Sequence, residues 1–255
     1  MIGYLNKFVE LREEIMMTRN AGPLVGVSVI TCTNRPLFFN QLINNFRRQR
    51  YRAKELIIVL NKDSMSLAAY RRRALPFSNV RVYKIPEKIS LGSCLNYGIG
   101  KAKYSIIAKF DDDDYYSPNY LNEQVDALHR TKAGIVGKGA HLKYFEGKRL
   151  LVMISPSQHN KFVNSVAGGT LLFTKRLHLR IRFASRTLGE DTNFIRRTRA
   201  NGYKVYATSP YNFVGIRRRN KQSHTWKLSD KAVMRGSLLV AKTTNYRIWA
   251  DRRVK

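Results

Sequence analysis

The chain has 255 residues, 44% of them hydrophobic and 25% charged, enough apolar content for one large core or two small ones and too much for disorder as the main state. Its formal charge of +30 is uneven: residues 1–129 carry 19 basic and 12 acidic groups, residues 130–255 carry 28 and 5. So basic a second half faces something anionic, such as an acidic polymer, an anionic membrane surface or, less in keeping with the rest of the chain, nucleic acid.

Residues 4–18 set Tyr4, Leu5, Phe8, Leu11 and Ile15 at helical spacing, which predicts an N-terminal amphipathic helix within residues 1–22, ended by the Gly22-Pro23 break. Val25 to Thr31 reads as a first strand, and Thr33-Asn34-Arg35-Pro36 opens a helix through Phe39, Leu42, Ile43 and Phe46. A strand over 55–60, a helix over 67–75, a strand over 80–85 and a helix over 91–102 capped by Ser90 follow. This alternation predicts an α/β fold with a mixed, mainly parallel sheet flanked by helices. The apolar run Ile106 to Phe110 is a buried strand that ends in four consecutive acids, Asp111 to Asp114, with Ser117-Pro118 capping the next helix. Adjacent acids repel one another, and in a chain with 17 acids in all such a cluster suits a divalent cation, with strand period placing Asp111 and Asp113 on one side.

The second half is less regular. Ile135 to His141 and Leu142 to Ile154, broken at 146–148, predict a hairpin, and 165–173 a strand entered through Gly168 and Gly169. A helix over 188–202, a strand over 203–207, a basic segment over 216–226 and a C-terminal helix from Ser229 toward Trp249 complete the chain. Neither a repeat nor a low-complexity linker divides it. Residues 23–226 are read as one domain, with halves at about 23–130 and 131–226, followed by a basic helical extension over 227–255. Cys32 and Cys94 lie in apolar stretches without metal-ligand spacing and read as reduced core thiols. With no apolar run of bilayer length and no export signal, a cytoplasmic location is expected, with peripheral docking at the inner face of the membrane compatible with the charge.

In such sheets a ligand sits beyond the carboxyl ends of the strands. Thr31 to Arg35, Asn61 to Ser64 and Asp111 to Asp114 all occupy that position. No Gly-x-Gly-x-x-Gly or Walker-type loop is present, which argues against a dinucleotide oxidoreductase and a P-loop enzyme.

Four stretches in order then resemble the family 2 glycosyltransferases of the Rossmann-like GT-A fold. Val27 to Arg35 resembles that family's opening strand, and Leu91 to Ile99 its helix before the metal strand. Phe110 to Asp114 resembles its Asp-x-Asp motif, and Gly189-Glu190-Asp191 its catalytic-base helix. The resemblance spans about residues 25–225 and implies a hexosyltransferase-type enzyme of polysaccharide or cell-envelope glycan synthesis. Such an enzyme moves a sugar from a nucleotide diphosphate sugar to an acceptor hydroxyl with inversion, using Mn²⁺ or Mg²⁺. It implies Asp113 as the primary metal ligand, Asp111 on the metal or the ribose, and Asp112 on either. Asp191 becomes the general base, with Glu190, Gly168 and Gly169 on the acceptor side. Thr31, Thr33, Asn34, Arg35, Asn61 and Asp63 line the nucleotide pocket, and His224 completes the metal shell, contacts the diphosphate or is plain surface.

Where the family usually has Asp-Asp-Gly-Ser, this chain has Asn61-Lys62-Asp63-Ser64. A UDP-sugar is favoured, but the base is left open by that departure, and the acceptor expected from the charge is an anionic glycan. A nucleotidyltransferase or a basic nucleic-acid-binding protein on a similar sheet is the alternative. The first wants a glycine- and lysine-rich signature that is absent here, and the second leaves the acid cluster unexplained.

Overall fold

The computed structural model describes residues 25–220 and 229–253. The helix expected over 4–18 and His224 therefore lie outside the described residues. Among those described, the order is β1 (Val27–Thr33), a 3₁₀ turn (Pro36–Phe38), α1 (Phe39–Arg47), β2 (Lys54–Leu60), α2 (Leu67–Ala74), β3 (Val80–Lys84), α3 (Leu91–Gly100) and β4 (Ile106–Lys109). Then come β5 (Tyr115–Tyr116), α4 (Tyr120–Thr131), β6 (Ile135–Gly137), β7 (His141–Phe145), β8 (Leu150–Ile154) and β9 (Lys161–Val163). A 3₁₀ turn (Gly168–Thr170), β10 (Leu172–Thr174), α5 (Lys175–Arg180), α6 (Glu190–Ala200), β11 (Val205–Ala207) and β12 (Phe213–Arg217) precede the C-terminal part.

The main sheet has the order β3-β2-β1-β4-β10-β6-β11-β9. Its first four strands run parallel, in register Val27 to Lys54 and Val27 to Ile106. Those strands are near-continuous apolar runs because helices cover both faces. Phe39, Leu42, Phe46 and Val125 pack with one face, and Cys94, Leu95, Ile99 and Phe194 with the other. A second sheet, in which β13 (Leu238–Lys242) is an edge strand, has the order β13-β8-β7-β12-β5 and leans on the first through Tyr116, Tyr120 and Phe213. None of the described helices is long and apolar enough to cross a membrane.

The structure corrects several expectations. Ser117 does not cap the helix after the acids: its hydroxyl donates to Asn212 Oδ1 (2.8 Å), α4 begins at Tyr120, and the two-residue strand β5 intervenes. The strand expected over 135–141 stops at Gly137, because the chain leaves the main sheet there, and the hairpin is formed by β7 and β8 in the second sheet. The continuous helix expected from Ser229 to Trp249 is replaced by α7 (Asp230–Met234), β13 (Leu238–Lys242) and α8 (Arg247–Ala250). Gly236, at φ +72°, breaks the helical course, and the β-prone Leu238 to Ala241 then adds to the edge of β8. Tertiary pairing thus overrides a helical spacing that also fits the sequence.

One buried ion pair ties the two sheets together. Lys138 donates to Glu123 Oε2 at 2.7 Å, and that carboxylate also accepts from Asn212 Nδ2 (2.9 Å) and the Ser209 N–H (3.0 Å). Both side chains are almost wholly buried, so removing one leaves the other's charge stranded. Lys138→Met is expected to lower stability by about 3 kcal/mol. Adding Glu123→Gln is expected to restore part of it, read as thermal melting midpoints of the parent and the two variants; a double variant no more stable than Lys138→Met would show that packing, not the charge, was lost.

Candidate functional site

The carboxyl ends of β1, β2 and β4 meet as the strand order requires. The Asn61 N–H donates to the Thr33 carbonyl (2.8 Å), and the Thr33 hydroxyl donates to Asp112 Oδ2 (2.5 Å). Arg35 then joins two of the acids, donating from Nη1 to Asp113 Oδ2 (2.8 Å) and from Nε to Asp112 Oδ2 (3.2 Å), with a further close contact from Nη2 to Asp112 Oδ1. Thr31 is buried, with its hydroxyl lacking a hydrogen-bond partner, and Asn34 is exposed. Asn34 does not cap the helix, whose first turn starts at Pro36 behind Arg35.

The loop after β2 is held by local bonds. The Asn61 amide nitrogen donates to the Pro86 carbonyl (2.7 Å), and Asp63 Oδ1 accepts from the Glu87 N–H (3.1 Å). A carbonyl only accepts, so the Asn61 amide orientation is fixed and Oδ1 is what it offers to a ligand. That is the acceptor character a carboxylate would present there. Asp63 acts on the loop's shape in this arrangement.

The four acids are treated unequally. Asp112 is buried, and burial, aided by Asp113, lifts its carboxyl to about 6 against the opposing pull of Arg35. Arg35 itself is pushed above its ordinary range, since Asp112 and Asp113 outweigh its own desolvation. Asp114 Oδ1 accepts from the Ile216 N–H (2.8 Å), and its backbone carbonyl accepts from Gln41 Nε2 (2.9 Å) and Asn45 Nδ2 (2.8 Å). Burial, then repulsion from Asp113 and Asp111, raises the Asp114 carboxyl to about 8. Asp111 is the most open of the cluster, with its side chain 37% exposed, and it accepts from Lys109 Nζ at 2.6 Å.

Lys109 is a residue that sequence reasoning missed. Burial would depress its ammonium, but Asp111, Glu190 and Asp191 together hold it well above its usual range. It links the acid cluster to the start of α6. Its signal in the sequence was a lysine inside an otherwise apolar strand, which needs an anionic partner. Tyr116 was missed too: its hydroxyl accepts from the Asp111 N–H (2.7 Å) and donates to the Gly169 carbonyl (2.5 Å), pinning the acid loop to the glycine turn.

That turn brings the two halves of the site together. A methyl group built on Gly168 would lie 1.5 Å from Asp191 Oδ2, and one on Gly169 would lie 2.7 Å from Asp111 Oδ2 and 3.3 Å from Asp114 Oδ2. Asp191 and the acid cluster therefore approach one short stretch of backbone from its two residues. Asp191 Oδ1 accepts from the Thr192 N–H (2.6 Å), which leaves Oδ2 facing Gly168. Glu190 is buried, and burial, opposed by Lys109 and aided by Asp191, raises its carboxyl to about 7. Cys32 and Cys94, the expected core thiols, are both free, with Cys94 buried and Cys32 partly so.

The donor set fits a hard divalent cation. It consists of carboxylate oxygens, two of them converging on Gly169, with the mutual repulsion that raises Asp114. Among the described residues no three acidic, histidine or cysteine side chains are arranged to hold an ion unaided, so a bound substrate's oxygens would have to share its coordination.

The family model for Glycosyl transferase family 2 matches residues 28–188. The O-antigen biosynthesis glycosyltransferase WbnJ of Escherichia coli is 32% identical over 165 residues, covering 61% of this chain and 64% of that protein. The amylovoran biosynthesis glycosyltransferase AmsE of Erwinia amylovora is 22% identical over 128 residues, 49% of this chain and 48% of that protein. The chain thus spans less than two thirds of each of these relatives. Among solved structures, S. aureus TarS 1–349 in complex with UDP-GlcNAc superposes with a TM-score of 0.62 at 16% identity, covering 82% of this chain and 64% of that one. The mannosyltransferase PcManGT from Pyrobaculum calidifontis in complex with GDP-Man and Mn²⁺ gives 0.59 at 17% identity, covering 74% and 56%. At these identities the structural likeness speaks to a shared GT-A fold. The family match runs over more than half of the chain, from the first strand of the sheet to the threshold of the Asp191 helix, and with it the chain belongs to glycosyltransferase family 2.

Proposed function

We propose that this chain transfers a sugar from a nucleotide diphosphate sugar to a hydroxyl of an anionic glycan, with inversion, in the assembly of a cell-surface polysaccharide. The observation that carries the reading is the Gly168–Gly169 turn, which Asp191 approaches at one residue and Asp111 and Asp114 at the next. A proton-accepting carboxylate next to a cation-suited cluster is what such a transfer needs. The acceptor oxygen gives its proton to Asp191 Oδ2 and bonds to the anomeric carbon, while the bond from that carbon to the phosphate oxygen breaks and its electron pair leaves with the diphosphate.

Asp111 and Asp113, with Asp114 beside them, would hold Mn²⁺ or Mg²⁺, which when bound neutralises charge growing on the leaving diphosphate. Asp112, committed to Thr33 and Arg35, positions Arg35 and the loop instead. Lys109 faces Asp111, Glu190 and Asp191 together and offsets their negative charge. The relatives named for O-antigen and amylovoran biosynthesis support the polysaccharide setting, and the 28 basic groups against 5 acidic ones in residues 130–255 support an anionic acceptor.

For the donor base, Asn61 Oδ1 accepts a ring N–H. Uracil, thymine and guanine offer one at that edge and cytosine does not. We expect UDP with Mn²⁺ to raise the melting midpoint, a ligand at a hundred times its Kd adding about 2.7 kcal/mol. EDTA should abolish the shift and CDP should give little. The check is a thermal-shift panel of UDP, GDP, dTDP and CDP with and without Mn²⁺. Silence from all four, with salt-dependent binding to DNA, would transfer the reading to a nucleic-acid-binding protein.

A further inference from the structure

A cavity of about 220 Å³ opens between the turn at 146–148, the end of β12 and the start of α7. Phe145, Lys148, Arg217, Arg218 and Arg219 line it together with a single carboxylate, Asp230. Arg217 Nε donates to Asp230 Oδ1 at 3.1 Å, which ties that carboxylate to one wall. The neighbouring Glu146 is engaged by the Arg219 N–H (3.1 Å), which fixes the turn that carries Lys148. Positive charge is thus concentrated in a concave site smaller than the roughly 300–1,000 Å³ that house a drug-sized ligand. It is the size for one anionic group and not for a whole glycan.

Its position relative to the acids gives it a role. Arg218, one of the lining residues, also donates from Nη2 to the Asp113 carbonyl (2.8 Å) and to Gln41 Oε1 (3.1 Å), and its guanidinium lies 4.3 Å from the centre of the Phe38 ring. Contacts connect Asn61 to Thr33, Asp112, Arg35 and Asp113, and then through Arg218 to the cavity. An anion in the cavity would therefore lie one side chain, Arg218, away from Asp113, against the second sheet.

We propose that this cavity is an acceptor subsite that seats a phosphate or carboxylate group of the glycan while one of its hydroxyls meets Asp191. The proposal rests on the transferase reading for the identity of the ligand, but the anion site stands on its own geometry. Guanidinium forks and an ammonium recognise both oxyanions by charge-assisted hydrogen bonds.

The test is calorimetric titration of the whole chain at constant ionic strength with inorganic phosphate in the absence of metal and, separately, with glucuronate, using glucose as the neutral control. The exposed pair is removed in a Lys148→Ala, Arg219→Ala double variant. Phosphate or glucuronate should bind the parent chain, bind the double variant about tenfold more weakly or worse, and glucose should not bind. Lys148→Arg should bind as the parent does, which separates lost charge from a disturbed turn. Glucuronate should still bind in the presence of UDP and Mn²⁺, and to Asp113→Ala. No anion binding, equal binding by the double variant, or displacement by UDP and Mn²⁺ would overturn the proposal, the last by assigning the cavity to the donor's diphosphate. Glucuronate binding in a chain that takes up no nucleotide would keep the anion site and remove the transferase reading.

Discussion

Asp191→Asn is expected to lower sugar transfer by about 10² to 10⁴, the span that a positioned general base contributes, while the UDP–Mn²⁺ thermal shift stays as in the parent. The amide keeps the volume and the bond from the Thr192 N–H to Oδ1, so the helix start should be undisturbed. What it loses is the capacity to accept a proton at the atom facing Gly168. The split between binding and turnover is the informative part. A structural role for Asp191 at the helix start would show as a lower melting midpoint with proportionate activity, since an acid there is worth about 0.3–1 kcal/mol. Turnover within a few-fold of the parent would remove Asp191 from the base role and point to Glu190, whose carboxyl burial sets at about 7.

How much of this was legible beforehand depends on how far each feature reaches along the chain. β1 to β4 are apolar runs punctuated by turn residues, and all four lie within a few residues of their expected bounds. The convergence of Thr33, Asn61 and the acid loop also followed, because parallel strands joined by helices place their carboxyl ends on one edge. Two short strands were invisible: β5 and β9 span two and three residues and exist only through their pairing with β12 and β11. The C-terminal strand β13 was read as helix because its spacing satisfies both periods, and only an available edge on β8 decides between them. Within the site, the Asp-x-Asp stretch and Asp191 are local motifs, whereas Lys109 (through Glu190 and Asp191), Tyr116 and Arg218 act on residues whose proximity only the fold creates. Asp112 looked equivalent to its neighbours and is distinguished by a threonine and an arginine 77 to 79 positions away.

Gly168→Ala is the sharper test of the arrangement, since it leaves every ionisable group in place. The added methyl would lie 1.5 Å from Asp191 Oδ2, 2.5 Å from Cγ and 2.9 Å from Cβ, so rotating the carboxylate away does not relieve it. Either the side chain and the start of α6 retreat or the glycine turn does. The turn is pinned by the Thr170 N–H to the Ala167 carbonyl (2.9 Å) and by Tyr116 on Gly169, so the retreat falls on Asp191. A displacement of about 1 Å at a reacting group costs on the order of a hundredfold in rate, and we expect that loss in transfer with UDP–Mn²⁺ binding nearly intact. Because the methyl acts through Asp191, its cost should vanish when Asp191 is already asparagine: groups that act as one unit are not additive. Rates of the two single variants and the double therefore decide the matter. A double variant slower than Asp191→Asn by the full factor of Gly168→Ala would mean that Gly168 serves the acceptor by its own backbone and that Asp191 does not receive the proton at that spot.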